Sequence, residues 1–140
     1  MTFERNEGAE PEKTLKSLVE KFSKQEGRQP RAMVCRSREC EADKKIKEIS
    51  VDLAGSGFDV DIGIPFDSFV QLGMNVIEND ADLLILFGPE GNQGKDFMTH
   101  LEEFFSEKGY PDLLILQLPL DFTPDLIRET LNNWLGHAFQ

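Results

Sequence analysis

Cysteine and histidine are scarce in this chain, and it has no long apolar run. Two cysteines and two histidines among 140 residues give neither a disulfide framework nor a C-x-x-C redox or zinc pattern. Cys35 lies in an apolar run and reads as a small buried hydrophobe. Cys40 lies in a polar stretch, with nothing near it in sequence to activate a thiol. No segment reaches the roughly 20 apolar residues of a membrane-spanning helix. The first residues carry Glu4, Glu7 and Glu10, unlike a signal or transit peptide, so the cytoplasm is the expected compartment. Positive charge is also in deficit, with 15 Lys and Arg against 26 Asp and Glu and a net charge of −11. That balance argues against nucleic acid and anionic membranes as partners, because phosphates would be repelled. Solubility is the simplest role of the excess acid.

What is present suffices for one domain with its own core. The length fits a single domain, and 39% hydrophobic residues with eleven Phe can fill it. Residues 1–30 read as a polar tail, a helix opened by Pro11, and a linker at 27–30. Leu15, Leu18, Val19 and Phe22 share one face of that helix. Residues 31–140 read as an α/β domain. Ala32–Cys35 is a short buried run. Ile46, Ile49, Leu53 and Ala54 form a helical stripe that ends at Gly55–Gly57, and residues 58–62 alternate as a strand. Pro65 and Asp67 lead into a helix with Phe69, Val70, Leu72, Gly73 and Val76 towards its buried side, and Asn79–Asp80 marks a turn. Leu83–Phe87 is continuously apolar, as in a strand covered on both faces. A helix is expected over about 95–108 with Phe97, Leu101 and Phe104 or Phe105 inward, then a fully buried strand at 113–116. Pro124 opens a last helix carrying Leu126, Ile127, Thr130, Leu131 and Trp134. Strands alternating with helices predict a three-layer α/β/α, doubly wound parallel sheet of four to five strands.

Several strings carry a family resemblance. They are Glu26–Arg31, Gly57-Phe58-Asp59-Val60-Asp61-Ile62-Gly63, Val76-Ile77-Glu78-Asn79-Asp80 and Gly109-Tyr110-Pro111-Asp112-Leu113-Leu114. In this order and register, over roughly residues 27–126, the chain resembles the cobalamin-binding domain of the methylmalonyl-CoA mutase family. The resemblance implies a flavodoxin-like fold of strand order 2-1-3-4. The family's cofactor motifs are missing. Its first loop carries Asp-x-His-x-x-Gly, whose His ligates cobalt and whose Asp orients that His. Aligned without gaps, these positions hold Cys40, Ala42 and Lys45. The Ser-x-Leu that lines the nucleotide-tail pocket falls on Phe87-Gly88-Pro89. The paired glycines after the fourth strand fall on Leu118-Pro119. The family's final strand and helix look shortened or absent.

The resemblance therefore implies a degenerate cobalamin-binding-like domain with no cofactor and no catalysis of its own. It resembles the non-cofactor-binding small subunit of a heterodimeric mutase. Its role would be structural or regulatory, with a mutase-type partner subunit or domain or by self-association. One alternative is a corrinoid-binding module whose lower ligand is water or the cofactor's own base. Another is a nucleotide or acyl-CoA binder using the stretch Gly88–Lys95, which follows a strand and precedes a helix. Its spacing is poor for a phosphate loop, since Pro89 occupies the first glycine position and Asp96 the Ser/Thr position. On that reading Gly91 and Gly94 simply serve positive φ.

Other chemistry is thinner. His100 and His137 have no nucleophile placed to pair with them. Asp59 and Asp61 alternate on a strand, as an exposed edge or as an acid–base pair. Glu39, Glu41 and Asp43 are solvated carboxylates or a divalent-ion site. Trp134 and Phe139 are core cover or a docking patch.

Overall fold

The computed structural model describes residues 11–138. Five helices and four strands follow one another as α1 (Pro11–Glu26), β1 (Arg31–Arg36), α2 (Asp43–Gly55), β2 (Asp59–Ile62), α3 (Phe69–Glu78), β3 (Leu83–Phe87), α4 (Gly91–Glu107), β4 (Leu114–Leu118) and α5 (Pro124–Ala138). The four strands are all parallel and run β2-β1-β3-β4. This is the flavodoxin-like order that the resemblance implied. Phe139 and residues 1–10, the expected tail, lie outside the described residues.

The sheet is built around β3. All five of its side chains are 0% exposed, which alternation on a half-solvated sheet could not give. Pleating sends them alternately to two cores. Leu83, Ile85 and Phe87 join Ala32 and Val34 beneath α1, α2 and α5, where Leu15, Val19, Phe22, Ile46, Ile49, Leu53, Ile127, Leu131 and Leu135 close the layer. Leu84 and Leu86 join Met33 and Cys35 beneath α3 and α4, against Leu72, Val76, Leu101 and Phe105. The helix α1 packs along α5. Its position is further secured at the foot of the sheet, where Arg28 donates two hydrogen bonds to the Asp82 carboxylate (2.7 and 2.9 Å) and lies 5.2 Å over the Phe22 ring. The same carboxylate accepts from the Arg31 backbone N–H at 2.8 Å.

Several local expectations need correction. Helix α4 begins at Gly91, not near residue 95, so Asn92–Lys95 is helix rather than loop. Gly91 does adopt positive φ (65°), but Gly94 does not. Gly94 is needed because a Cβ there would run into the Pro89 carbonyl oxygen. Val70, Ala54 and Leu126 face solvent, since each helix buries a narrower stripe than its apolar content suggests. The strand β4 is half-buried rather than fully buried, because it lies at an edge of the sheet. The other edge, β2, exposes Asp59 and Asp61, as expected of an edge strand. Trp134 packs partly buried against the first core.

Two buried features yield measurable consequences. At Gly73 an added Cβ would meet the Phe104 ring in the α3–α4 seam. Gly73→Ala is expected to cost about 1–3 kcal/mol in urea unfolding, and Phe104→Leu in the same chain should recover part of it. Cys35 is fully buried, and burial pushes its thiol up to about 12 from an ordinary 9.0, offset in part by the Gly63 backbone N–H. The folded state thus holds this proton more tightly than the unfolded chain does. The resulting stability is complete below pH 9 and declines as pH rises from 9 towards 12, by at most about 4 kcal/mol. Unfolding free energies of the wild type and Cys35→Ala should therefore converge across that window.

Candidate functional site

In an open parallel sheet, ligands sit at the carboxyl ends of the strands where the order reverses. Here that point lies between β1 and β3, at Ser37 and Gly88. A cavity of about 560 Å³ opens there, lined by Ser37, Arg38, Cys40, Phe66, Gly88 and Leu120 among others. A larger cleft, about 1100 Å³, lies at the amino-terminal end of the strands beside β4 and is remote from the switch point.

The loop after β1 is gathered by the Arg36 guanidinium. Arg36 donates to Asp43 at 2.8 Å and to the Cys40 carbonyl at 3.1 Å, with longer bonds to the carbonyls of Ser37 and Arg38. Arg38 donates to Asp67 at 2.8 Å, and its backbone N–H bonds the Phe66 carbonyl at 3.0 Å. Ser37 continues the ladder, donating its N–H to the Phe87 carbonyl at 2.9 Å. Gly88 has φ of 74°, and a side chain there would meet the Ser37 hydroxyl. Gln117 closes the other side with a 2.9 Å bond from its amide to the Pro89 carbonyl.

The positions singled out by sequence gather at this end of the sheet. Ala42 caps α2 without a side-chain hydrogen bond and is 2% exposed, its methyl group part of the first core. Phe87 is fully buried and packs on Phe122, ring centroids 5.8 Å apart. Lys45 sets its ammonium 5.5 Å from the same Phe122 ring. Cys40, Leu118 and Phe122 are partly buried against that core. Pro89 lines the cavity, while Pro119 is exposed. Phe122 was not anticipated. Its only sequence signal is an aromatic residue three positions past Pro119, where Pro119 accepts its backbone N–H at 3.2 Å.

The remaining candidates do not converge. Glu39 and Glu41 line the cavity, and Asp43 is taken by Arg36. Among the described residues, no three His, Cys, Asp or Glu side chains gather to hold a metal. His100 stacks on Phe69 at 5.3 Å on the α3–α4 side, and His137 lines the distant cleft. Cys40 is the one soft donor at the cavity, but burial and the nearby Glu90 raise its pKa against the opposing pull of Arg36. A thiol held protonated is a poor nucleophile and a poor metal ligand. Glu90→Gln should therefore speed iodoacetamide labelling of Cys40 at pH 8 by about twofold or more. Cys35 should remain unlabelled until the protein is denatured. An unchanged rate would remove Glu90 from this account.

No family model matches the chain. The methylmalonyl-CoA mutase large subunit of Porphyromonas gingivalis is 31% identical over 100 residues, 71% of this chain. The methylmalonyl-CoA mutase of Cereibacter sphaeroides is 31% identical over 98 residues, and the human mitochondrial enzyme 29% over 98. The matched segment is 14% of the length of the first two, so the chain spans about one seventh of those relatives. Among solved structures, a cobalamin-binding protein from Desulfitobacterium hafniense superposes with a TM-score of 0.50 at 16% identity, covering 85% of this chain and 57% of that one. That likeness supports the fold. No helix among the described residues is long and apolar enough to cross a membrane. Over the matched 100 residues, the chain is related to the methylmalonyl-CoA mutases, and its fold is shared with the Desulfitobacterium protein.

Proposed function

We propose that this domain has given up its cofactor and serves a structural or regulatory role in a methylmalonyl-CoA-mutase-type assembly. The observation that carries the reading is Ala42. Where the family resemblance puts a cobalt-ligating imidazole, this chain has a methyl group sealed in the core. A methyl group has no lone pair to offer a metal. The neighbouring space is also taken, since the Phe87 and Phe122 rings pack together, tilted by 49°, and Leu118 packs against the same core. Opening a channel for a nucleotide tail would return these side chains to water, at about 1.5–3 kcal/mol for each large apolar group fully exposed. The residues present do not fit the cofactor as the family holds it. With no such group, the domain has no evident chemistry of its own, and assembly or regulation through a mutase-type partner remains.

A corrinoid held without a protein ligand is the competing reading, and the cavity of about 560 Å³ at the strand ends is what favours it. The nucleotide or acyl-CoA reading has less support. Gly94 and Lys95 lie within α4, and Glu39, Glu41 and Glu90 at the rim would repel phosphate.

Titration with hydroxocobalamin and adenosylcobalamin, followed by visible absorbance, separates these readings. No spectral change and no co-elution are expected. Tight binding would overturn the proposal. ATP or acyl-CoA should leave the melting temperature unchanged, whereas a ligand at a hundredfold excess over Kd would add about 2.7 kcal/mol. Co-purification with a mutase subunit is the positive expectation, and a chain that captures no such subunit would count against the assembly role.

A further inference from the structure

The sheet ends in two edges of opposite character. On one side β2 is four residues long and exposes two carboxylates, Asp59 and Asp61. Short length and edge charge are how sheets avoid pairing with other chains. On the other side β4 presents Leu113 to Leu118 without a single charge, and among the described residues no strand pairs with its outer edge.

The register identifies which groups are left over. Leu114 pairs with Leu83, and its N–H bonds the Asp82 carbonyl at 3.3 Å. In a parallel ladder the residues of one strand alternate between the two sides. The backbone groups of Leu114, Leu116 and Leu118 therefore face β3. Those of Ile115 and Gln117 face outward, each offering one donor and one acceptor. Side chains alongside are only half-buried, at Leu114, Ile115 and Leu116.

A receptacle lies next to this edge. The cleft of about 1100 Å³ begins at Leu113 and Leu114 and is walled by Tyr110, Asn133, Trp134 and His137. An unpaired edge supplies main-chain bonds, and an adjacent pocket selects a side chain, the two parts of strand addition.

Charge decides the occupant. Asp112 precedes the strand and Asp121 follows it, both exposed. Antiparallel pairing of two copies would set Asp112 of each towards the Asp121 end of the other, in chains already at −11. We propose that the outer edge of β4 accepts an extended segment of a partner protein, flanked by Lys or Arg, with one large apolar side chain in the cleft beside Tyr110 and Trp134. This names a surface for the assembly role above and rests on that reading for its partner. The corrinoid titration tests the pocket at the strand ends, whereas the experiment below tests only the edge, so the two can fail separately.

The probe is a synthetic peptide of alternating Val and Thr with a central Trp and paired Lys at both ends, kept monomeric. A second peptide carries Glu in place of Lys. Binding to the whole chain is read by anisotropy, and the site by amide hydrogen exchange. The Lys peptide should bind at least about tenfold more tightly than the Glu peptide, and should slow exchange at Ile115 and Gln117. Ile115→Pro deletes one outward donor while leaving the β3 ladder intact, and should weaken binding by about tenfold or more. The exchange reading on the wild type needs no variant and stands if Ile115→Pro misfolds. No binding, equal binding of both peptides, or binding without protection at Ile115 and Gln117 each overturns the proposal. A concentration-dependent dimer of the free chain with those two amides protected overturns it in favour of a second copy.

Discussion

Burial of β3 on both faces is the constraint from which the rest of this domain follows. Five consecutive large side chains, Leu83 to Phe87, must leave water. Only a strand flanked by β1 and β4 and covered above and below can hide them all. That demand divides the helices into two layers, α1, α2 and α5 on one face and α3 and α4 on the other. It also sets where the chain emerges, since Phe87 is the last buried residue before Gly88 turns into the switch-point cavity.

The same constraint bears on the cavity. Phe87 serves the core first, and its ring then packs with Phe122. Ala42 behaves similarly, since its methyl completes the layer under α2. The loop between them is held by Arg36 through its four acceptors.

Much of this was legible before any coordinates. The unbroken Leu83–Phe87 run marks a central strand, and Ile46, Ile49 and Leu53 mark the inward face of α2, because burial imposes periods of its own. The alternating Asp59 and Asp61 mark an edge. The misreadings share a cause. Gly94 reads as a loop residue, yet it lies in α4, and it is glycine because the Pro89 carbonyl comes too close for a Cβ, a contact that residue spacing does not reveal. Leu113–Leu116 reads as fully buried, yet edge position depends on strand order and not on composition. Phe122 and the Arg36 clasp were invisible, since each joins elements whose proximity no local pattern encodes.

The single tryptophan of the chain, Trp134, stands on the wall of the cleft beside the open edge. Its indole is partly buried against the core and also lines the cleft, so its surroundings include both. Indole emission shifts with the polarity around it. The molecule therefore carries a built-in optical gauge of that surface, readable in mixtures and without a label.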